Sequence, residues 1–158
     1  MRSPPKFAAD AMLGSLARKL RIFGFDTAYF KEGDDSDLEL LARRERRTVL
    51  TSDKGLFDHA EAAGLRAVLV TGATDRARLL SVFSQTGLSP GGAGESRCAV
   101  CNGELRKITK GEASAEGAPP KVLARHRLFY RCTSCSRLYW RGRHWARLRR
   151  LASSIRRL

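Results

Sequence analysis

The chain has 158 residues, of which 42% are hydrophobic, and its formal net charge is +14. A chain of this length can build one domain with a hydrophobic core and a small additional module. It contains no run of eighteen apolar residues, which excludes a membrane span, and residues 1–5 are too short and too polar for a secretory signal. We therefore expect a cytoplasmic protein with no membrane partner.

Strands and helices are predicted to alternate through the first part of the chain. Short apolar runs predict strands at 6–10, 27–30, 48–51 and 66–70, and helically spaced apolar residues predict helices at 12–23, 38–45, 53–64 and 76–85. Strands separated by helices are typical of right-handed crossovers, which produce a parallel sheet with helices on both faces. The sequence thus predicts an α/β domain over residues 1–86, with a parallel sheet of about four strands.

All four cysteines lie in the second part of the chain, in two C-x2-C pairs: Cys98, Cys101, Cys132 and Cys135. Two such turns can present four thiolates to one tetrahedral zinc ion. A disulfide or redox pair is the alternative, but the sequence has no secretory signal and neither pair opens a βαβ helix. We expect a zinc ribbon over residues 97–146. A linker rich in Gly, Ser and Pro should precede it at 87–96, and 111–120 should be a flexible excursion within it.

Positive charge is concentrated in this second part. Residues 1–95 carry 14 basic and 13 acidic side chains, whereas residues 96–158 carry 16 basic and three acidic ones, a net charge of +13. Every basic residue after Lys121 is an arginine, the side chain best suited to bind phosphate. This pattern favours a nucleic-acid partner for an arginine-rich C-terminal helix at 147–158. Apolar residues at helical spacing in 145–158 leave docking on the protein or on a lipid surface as alternatives.

Acidic residues follow each predicted strand of the first domain. Asp10 ends the first strand, Asp37 belongs to an acidic group after the second, Asp53 ends the third and Asp75 follows the fourth. The carboxyl ends of parallel strands meet at one edge of a sheet, where such folds bind ligands. Crowded carboxylates there are typical ligands of Mg²⁺ or Mn²⁺. Asp37 and Asp53 could each instead cap a helix.

Five segments resemble the Mut7-C ribonuclease family. They are residues 7–21 (FAADAMLGSLARKLR), 24–27 (GFDT), 36–42 (SDLELLA), 50–53 (LTSD) and 139–145 (YWRGRHW). The resemblance, together with the cysteines, covers about residues 6–146. The chain departs from the family pattern at Ser52, where Arg or Lys is frequent, and at Arg143, where a small residue is frequent.

The resemblance implies a PIN-like nuclease domain fused to a zinc ribbon, and a ribonuclease that depends on Mg²⁺ or Mn²⁺. It maps the metal-binding acids onto Asp10, Asp37 and Asp53, and Asp75, with Asp58 behind it, is the candidate for a fourth catalytic acid. The implied partner is RNA, with ribosomal RNA, the ribosome or tRNA as candidates. We expect RNA contacts from Arg18, Arg21, Lys54, Arg137, Arg141, Arg143, His144, Arg147, Arg149 and Arg150.

Two other functions stay open at this level. A non-catalytic RNA- or ribosome-binding protein could keep the same fold, and loss of the fourth acid would favour it. A DNA-binding regulator would need a recognition helix, which the sequence does not obviously contain. Tyr139, Trp140 and Trp145 could stack on bases, although ribbon cores also bury such aromatic side chains.

Overall fold

A four-stranded parallel sheet forms the centre of the first part of the chain. The structure, a computed structural model, describes residues 3–91 and 95–157. The strands lie in the order β2-β1-β3-β4 and pair in parallel throughout. Their bounds are β1 (Lys6–Ala9), β2 (Thr27–Tyr29), β3 (Arg47–Thr51) and β4 (Ala67–Leu69). The predicted α/β class and the four-stranded parallel sheet are confirmed, and the strand ends lie within one residue of the prediction.

Four helices connect and follow these strands, and they cover both faces of the sheet. They are α1 (Gly14–Ile22), which a 3₁₀ turn precedes, α2 (Asp35–Glu45), α3 (Lys54–Ala62) and α4 (Asp75–Thr86). Side chains of α1 and α4 pack with Phe7 and Leu50 on one face, and side chains of α2 and α3 pack with Ala8 and Val49 on the other. Burial of these apolar surfaces is the main force that holds the layers together.

Helix α2 begins three residues earlier than predicted. The side chain of Asp34 accepts a hydrogen bond of 3.0 Å from the Asp37 amide and caps the helix. The acidic residues Asp35 and Asp37 therefore lie in its first turn, where the helix dipole stabilises negative charge. The sequence suggested a loop here because the run of acids lacks the apolar spacing of a helix.

The second part of the chain contains a three-stranded antiparallel sheet. Its strands, in the order β5-β6-β7, are β5 (Leu105–Ile108), β6 (Phe129–Cys132) and β7 (Leu138–Trp140). The first cysteine pair precedes β5. The second begins at Cys132, the last residue of β6, and ends at Cys135 in the turn before β7. This arrangement brings the two C-x2-C turns to the same end of the sheet.

The predicted flexible excursion at 111–120 is wrong. The structure has two short helices between β5 and β6, namely α5 (Lys110–Ala115) and α6 (Pro120–Arg125). Thr109 and Glu112 form a reciprocal capping box, which satisfies two backbone amides at the start of α5. Ala113 and Ala118 are buried against Phe129, so small residues that resemble linker composition are here part of a core.

The chain ends in α7 (Arg143–Arg156), which packs back on the first domain. Its buried residues Leu148, Ala152 and Ile155 join the core cluster that also contains α1 and α4. The predicted boundary between ribbon and tail, at residues 146 and 147, falls inside this helix. Of the alternatives for its apolar stripe, the structure shows docking on the protein itself. Within the described ranges, no helix has the length and apolarity needed to cross a membrane.

Candidate metal centres and nucleic-acid interface

The four cysteines converge on one point. The ligand atoms of Cys98, Cys101, Cys132 and Cys135 all lie within 4.8 Å of one another. The Sγ atoms of Cys98 and Cys135 are 3.7 Å apart, and those of Cys101 and Cys132 are 3.4 Å apart. A tetrahedral zinc ion with Zn–S bonds of about 2.3 Å requires sulfur separations close to these values. The quartet therefore fits a structural zinc site.

Two backbone features hold the C-x2-C turns in this form. Asn102 and Ser136 each follow the second cysteine of a pair, and both adopt left-handed conformations, with φ of 68° and 62°. Gly103 follows Asn102, and a Cβ atom there would lie 2.7 Å from the Cys132 sulfur. A side chain at residue 103 would thus push into the metal site.

Hydrogen bonds to sulfur favour the ionised thiolates that zinc needs. Burial opposes ionisation of Cys98, but the Tyr139 hydroxyl, 2.9 Å from its sulfur, and the Cys101 amide outweigh it and lower the pKa of Cys98 to about 6. The Cys101 pKa is raised to about 12 by desolvation and by its sulfur neighbours. Thiolates this close repel one another, and a bound dication removes that repulsion.

At the carboxyl edge of the parallel sheet, Asp10 and Asp53 are linked through Thr51. The Thr51 hydroxyl donates a short hydrogen bond to Asp10 Oδ2 and accepts one of 3.0 Å from the Asp53 amide. Asp10 is buried, with 9% of its surface exposed, whereas Asp53 is exposed and caps α3 through the Leu56 amide. The predicted capping role of Asp53 is therefore real, and its second carboxylate oxygen remains available.

Burial dominates the electrostatics of Asp10. Desolvation raises its pKa above the ordinary value, hydrogen bonds from Thr51 and Met12 oppose that rise, and the negative charges of Asp35 and Asp53 add to it. Asp35 is thus an electrostatic neighbour of Asp10. In the sequence Asp35 belongs to the acidic group around Asp37, and nothing in the pattern distinguishes the two. Asp37 itself is exposed in the first turn of α2.

Asp75 is joined to α1 by polar contacts. Lys19 Nζ lies 2.9 Å from its Oδ2, and Ser15 Oγ donates a hydrogen bond of 3.1 Å to its Oδ1. The hydrogen bond from Lys19 is the main cause that lowers the Asp75 pKa. Asp58, the second candidate for a fourth acid, pairs with Lys54 at 2.7 Å. Each of these acids already has a positively charged neighbour.

The acids at the carboxyl edge do not close into a tight cluster. Within residues 3–91 and 95–157, the cysteine quartet is the one group in which three or more candidate ligand atoms lie within 4.8 Å of one another. Hard oxygen donors suit Mg²⁺ and Mn²⁺, which often retain several water ligands and then contact few carboxylates directly. The donor chemistry at this edge fits such an ion.

Nine of the ten residues predicted to bind RNA are exposed, and Arg21 is the exception. Only 6% of the Arg21 surface is accessible, and its guanidinium donates to the carbonyl oxygens of Thr27, Ala99 and Val100 at 2.8–3.0 Å. The residue therefore joins the first domain to the first C-x2-C turn. We correct its assignment from RNA contact to structural contact, since the sequence does not show which arginine of a basic helix is buried.

Aromatic and guanidinium groups stack beside β6 and α7. The Arg141 guanidinium lies 4.6 Å from the Trp145 ring centroid and 5.9 Å from that of Tyr130, and the Arg149 guanidinium lies 4.9 Å from that of Trp145. We call Tyr130, Arg141, Trp145 and Arg149 the stacked column. A cavity of about 760 Å³ adjoins it. The sequence predicts nucleic-acid contacts for Arg141, Trp145 and Arg149, but their spacing along the chain does not indicate that they stack with Tyr130.

Together these features define a two-part α/β protein, with carboxylates at the edge of a parallel sheet and a tetracysteine module with a strong positive charge. Residues 5–152 match the Mut7-C RNAse domain family. The match covers most of the chain, so the protein belongs to the Mut7-C RNAse domain family, and membership indicates a role related to RNA cleavage. No curated protein and no solved structure matches the chain.

Proposed function

We propose that the protein is a metal-dependent endoribonuclease that hydrolyses RNA phosphodiester bonds. In this proposal residues 1–86 are a PIN-like nuclease domain, 87–96 a linker and 97–146 a zinc ribbon, and the exposed arginines of α7 bind RNA. Family membership supports the activity. The carboxylates that follow strands β1, β2 and β3 support the metal-dependent chemistry. The substrate is RNA, with ribosomal RNA, the ribosome and tRNA as candidates.

The state of Asp10 is the single observation that carries this proposal. Burial raises the pKa of this carboxyl, and the negative charges of Asp35 and Asp53 add to the rise, which a nearby positive charge would compensate. A divalent cation would supply that compensation. We assign Asp10, Asp37 and Asp53 as the residues that would hold Mg²⁺ or Mn²⁺. When bound, the ion would polarise the scissile phosphate and stabilise charge on the leaving oxygen.

The surrounding residues orient these groups. The Thr51 hydroxyl donates a hydrogen bond to the Asp10 carboxylate and accepts one from the Asp53 amide. One side chain therefore helps to position two of the proposed metal ligands. Asp75 keeps its proposed place in the acidic set. The ion pair between Asp75 and Lys19 also places the positively charged Lys19 ammonium group beside Asp75. In this proposal the ammonium group contacts a substrate phosphate.

A non-catalytic RNA-binding protein is the second candidate. Two observations favour it: the described carboxylates do not converge within 4.8 Å, and the charge of Asp75 is already offset by Lys19. Such a protein would keep the basic surface and the zinc ribbon but would not turn over RNA. Catalysis and binding must therefore be measured separately.

The test is cleavage of total RNA by the purified full chain in the presence of Mn²⁺. The active-site variant is Asp53→Asn, which keeps the helix cap through its side-chain oxygen but removes the charge. The matched control is Glu61→Gln, an exposed carboxylate further along the same helix. Loss of a metal ligand should reduce the cleavage rate about a hundred-fold or more, since a bound metal contributes several kcal/mol to the transition state.

The outcomes separate the two candidates. Mn²⁺-dependent cleavage that Asp53→Asn removes and Glu61→Gln retains supports the nuclease. Binding of RNA without cleavage by the parent protein, with either Mg²⁺ or Mn²⁺, would favour the non-catalytic protein. Cleavage that persists unchanged in Asp53→Asn would show that the proposed site is not the source of the activity.

A further inference from the structure

The stacked column places two cations against one aromatic ring. The guanidinium groups of Arg141 and Arg149 both lie within 5 Å of the Trp145 ring centroid. Among the ion pairs of the described residues, neither arginine has an acidic partner. Two uncompensated cations near one another favour an anionic ligand, because the anion relieves their repulsion.

The adjoining cavity combines positive charge with aromatic walls. Its lining includes five arginines and a single acidic residue, Glu95. The half-buried rings of Tyr130, Tyr139, Trp140 and Trp145 also contribute to it. Its volume, about 760 Å³, is typical of a site that encloses a group of small-molecule size. Flat rings for stacking and arginines for phosphate are the two features that bind a nucleotide chain.

The form of the nucleic acid follows from these features. In a duplex the bases stack on one another and their faces are inaccessible, so a duplex could use only the arginines. An unpaired strand can also place base faces on Tyr and Trp rings and on guanidinium planes. Phosphate contacts alone would not require the stacked column, because ordering four side chains in one geometry costs conformational entropy.

We propose that the stacked column and its cavity form a binding site for single-stranded RNA, in which unpaired bases stack on the aromatic rings and the arginines contact the backbone phosphates. This rests on the proposed function for the choice of RNA as ligand. The site lies away from the acids. Ile22 and Phe23, which line the cavity, are at the carboxyl end of α1, and Asp10 precedes its other end.

The experiment measures binding of a fluorescent 12-nucleotide RNA, as a single strand and as a duplex, to the zinc-loaded protein without added Mg²⁺ or Mn²⁺, so that no cleavage occurs. The full chain is compared with Trp145→Ala, Arg149→Ala and Arg150→Ala. Arg150 is the matched control because it is exposed on the same helix and has the same charge, but it does not line the cavity.

We expect Trp145→Ala to weaken single-strand binding about ten- to a hundred-fold, the usual effect of losing a base–aromatic stack, and to change duplex binding less than three-fold. Arg149→Ala should weaken single-strand binding several-fold more than Arg150→Ala does, and both should reduce duplex binding equally. Trp145→Phe, which keeps a ring, should recover most of the affinity. Zinc content and melting temperature should match those of the parent protein.

Two results would overturn the site. One is equal loss in Arg149→Ala and Arg150→Ala on single strands, which would indicate charge without stacking. The other is a folded Trp145→Ala variant with unchanged affinity for single-stranded RNA, as expected if the cavity instead binds an acidic protein segment. Failure of the proposed nuclease activity would give a different result. Selective binding of single strands without Mn²⁺-dependent cleavage would support the binding site at the cavity and contradict the nuclease proposal.

Discussion

At the scale of single residues, the burial of Asp10 links its charge state to the stability of the fold. Its pKa is raised chiefly by burial. A group whose pKa is higher in the folded than in the unfolded state stabilises the fold below its unfolded pKa, and this contribution is lost as the pH rises through the folded value. At neutral pH the ionised Asp10 therefore destabilises the metal-free protein.

This sign predicts the behaviour of Asp10→Asn. The amide keeps an oxygen for the Met12 amide, its NH₂ group can donate to the Thr51 hydroxyl oxygen in place of the bond that Asp10 accepts, and the charge is removed. Without Mg²⁺ or Mn²⁺ the variant should therefore melt at a higher temperature than the parent at pH 7, by about 2–4 °C for each kcal/mol gained. The advantage should disappear at low pH, where the parent carboxyl is protonated. Thermal melts of the two zinc-loaded proteins across pH 3–8, without added Mg²⁺ or Mn²⁺, measure it.

A second measurement connects this residue to the metal. Addition of Mn²⁺ should raise the melting temperature of the parent and not that of Asp10→Asn. An Asn variant that is less stable than the parent at pH 7 without metal would contradict the assigned role of burial.

At the scale of elements, α7 has two faces with separate tasks. Leu148 and Ile155 are about 95% buried in the core of the first domain. Arg147 and Arg150 are exposed on the same helix. The apolar stripe that the sequence left open between packing and membrane binding is thus a packing surface, and the exposed arginines are the groups that would contact RNA in the proposed function.

Substitutions on the two faces should therefore change different properties, stability on the apolar face and RNA binding on the arginine face. Leu148→Ala should lower the free energy of unfolding by about 2–4 kcal/mol, because it leaves a cavity in the core. The double change Arg147→Ala and Arg150→Ala should leave stability within about 0.5 kcal/mol and reduce the salt dependence of single-strand binding by about 0.7 per lost phosphate contact. Denaturant melts and salt titrations measure the two quantities. A double variant that unfolds readily but keeps its salt slope would reverse the assignment.

Particular residues show how far the sequence could lead. The strands and most helices were predictable because apolar spacing is local, and the zinc ligands were predictable because C-x2-C turns have a fixed geometry. Helices α5 and α6 were not, since their stability depends on the Thr109–Glu112 capping box and on burial of two alanines against a distant strand. The burial of Arg21 likewise depends on carbonyl groups almost eighty residues away.

At the scale of the whole molecule, the zinc site and the parallel sheet share a junction. Arg21 donates to the carbonyl groups of Ala99 and Val100 inside the first C-x2-C turn. Asn102, directly after that turn, accepts a hydrogen bond of 3.0 Å from the Thr27 amide of β2 and donates one of 2.7 Å to Asp26. The turn that would bind zinc is thus also a partner of the first residues of β2.

Zinc removal should therefore change hydrogen exchange in the first domain. We expect elemental analysis to give one zinc per chain, and chelation to unfold the ribbon. Hydrogen exchange at the Thr27 amide should then become faster, because its acceptor is lost. The Val49 amide, which bonds to the Arg66 carbonyl within the sheet, should stay protected. A folded protein without zinc, or equal exchange at both amides, would contradict the coupling.

If the protein is the proposed nuclease, the position of the cavity at the far end of α1 has a consequence for where RNA would be cut. The nine residues of α1, from Gly14 to Ile22, extend from the cavity to the turn that follows Asp10, a span of about 13 Å. A strand gripped at the stacked column has to bridge that span before its backbone reaches the carboxylates. The distance between the two sites would then determine the position of cleavage. The protein would select the scissile bond by its distance from an unpaired region and not by the bases on either side of the cut, and oligonucleotides too short to bridge the span would bind without being cleaved.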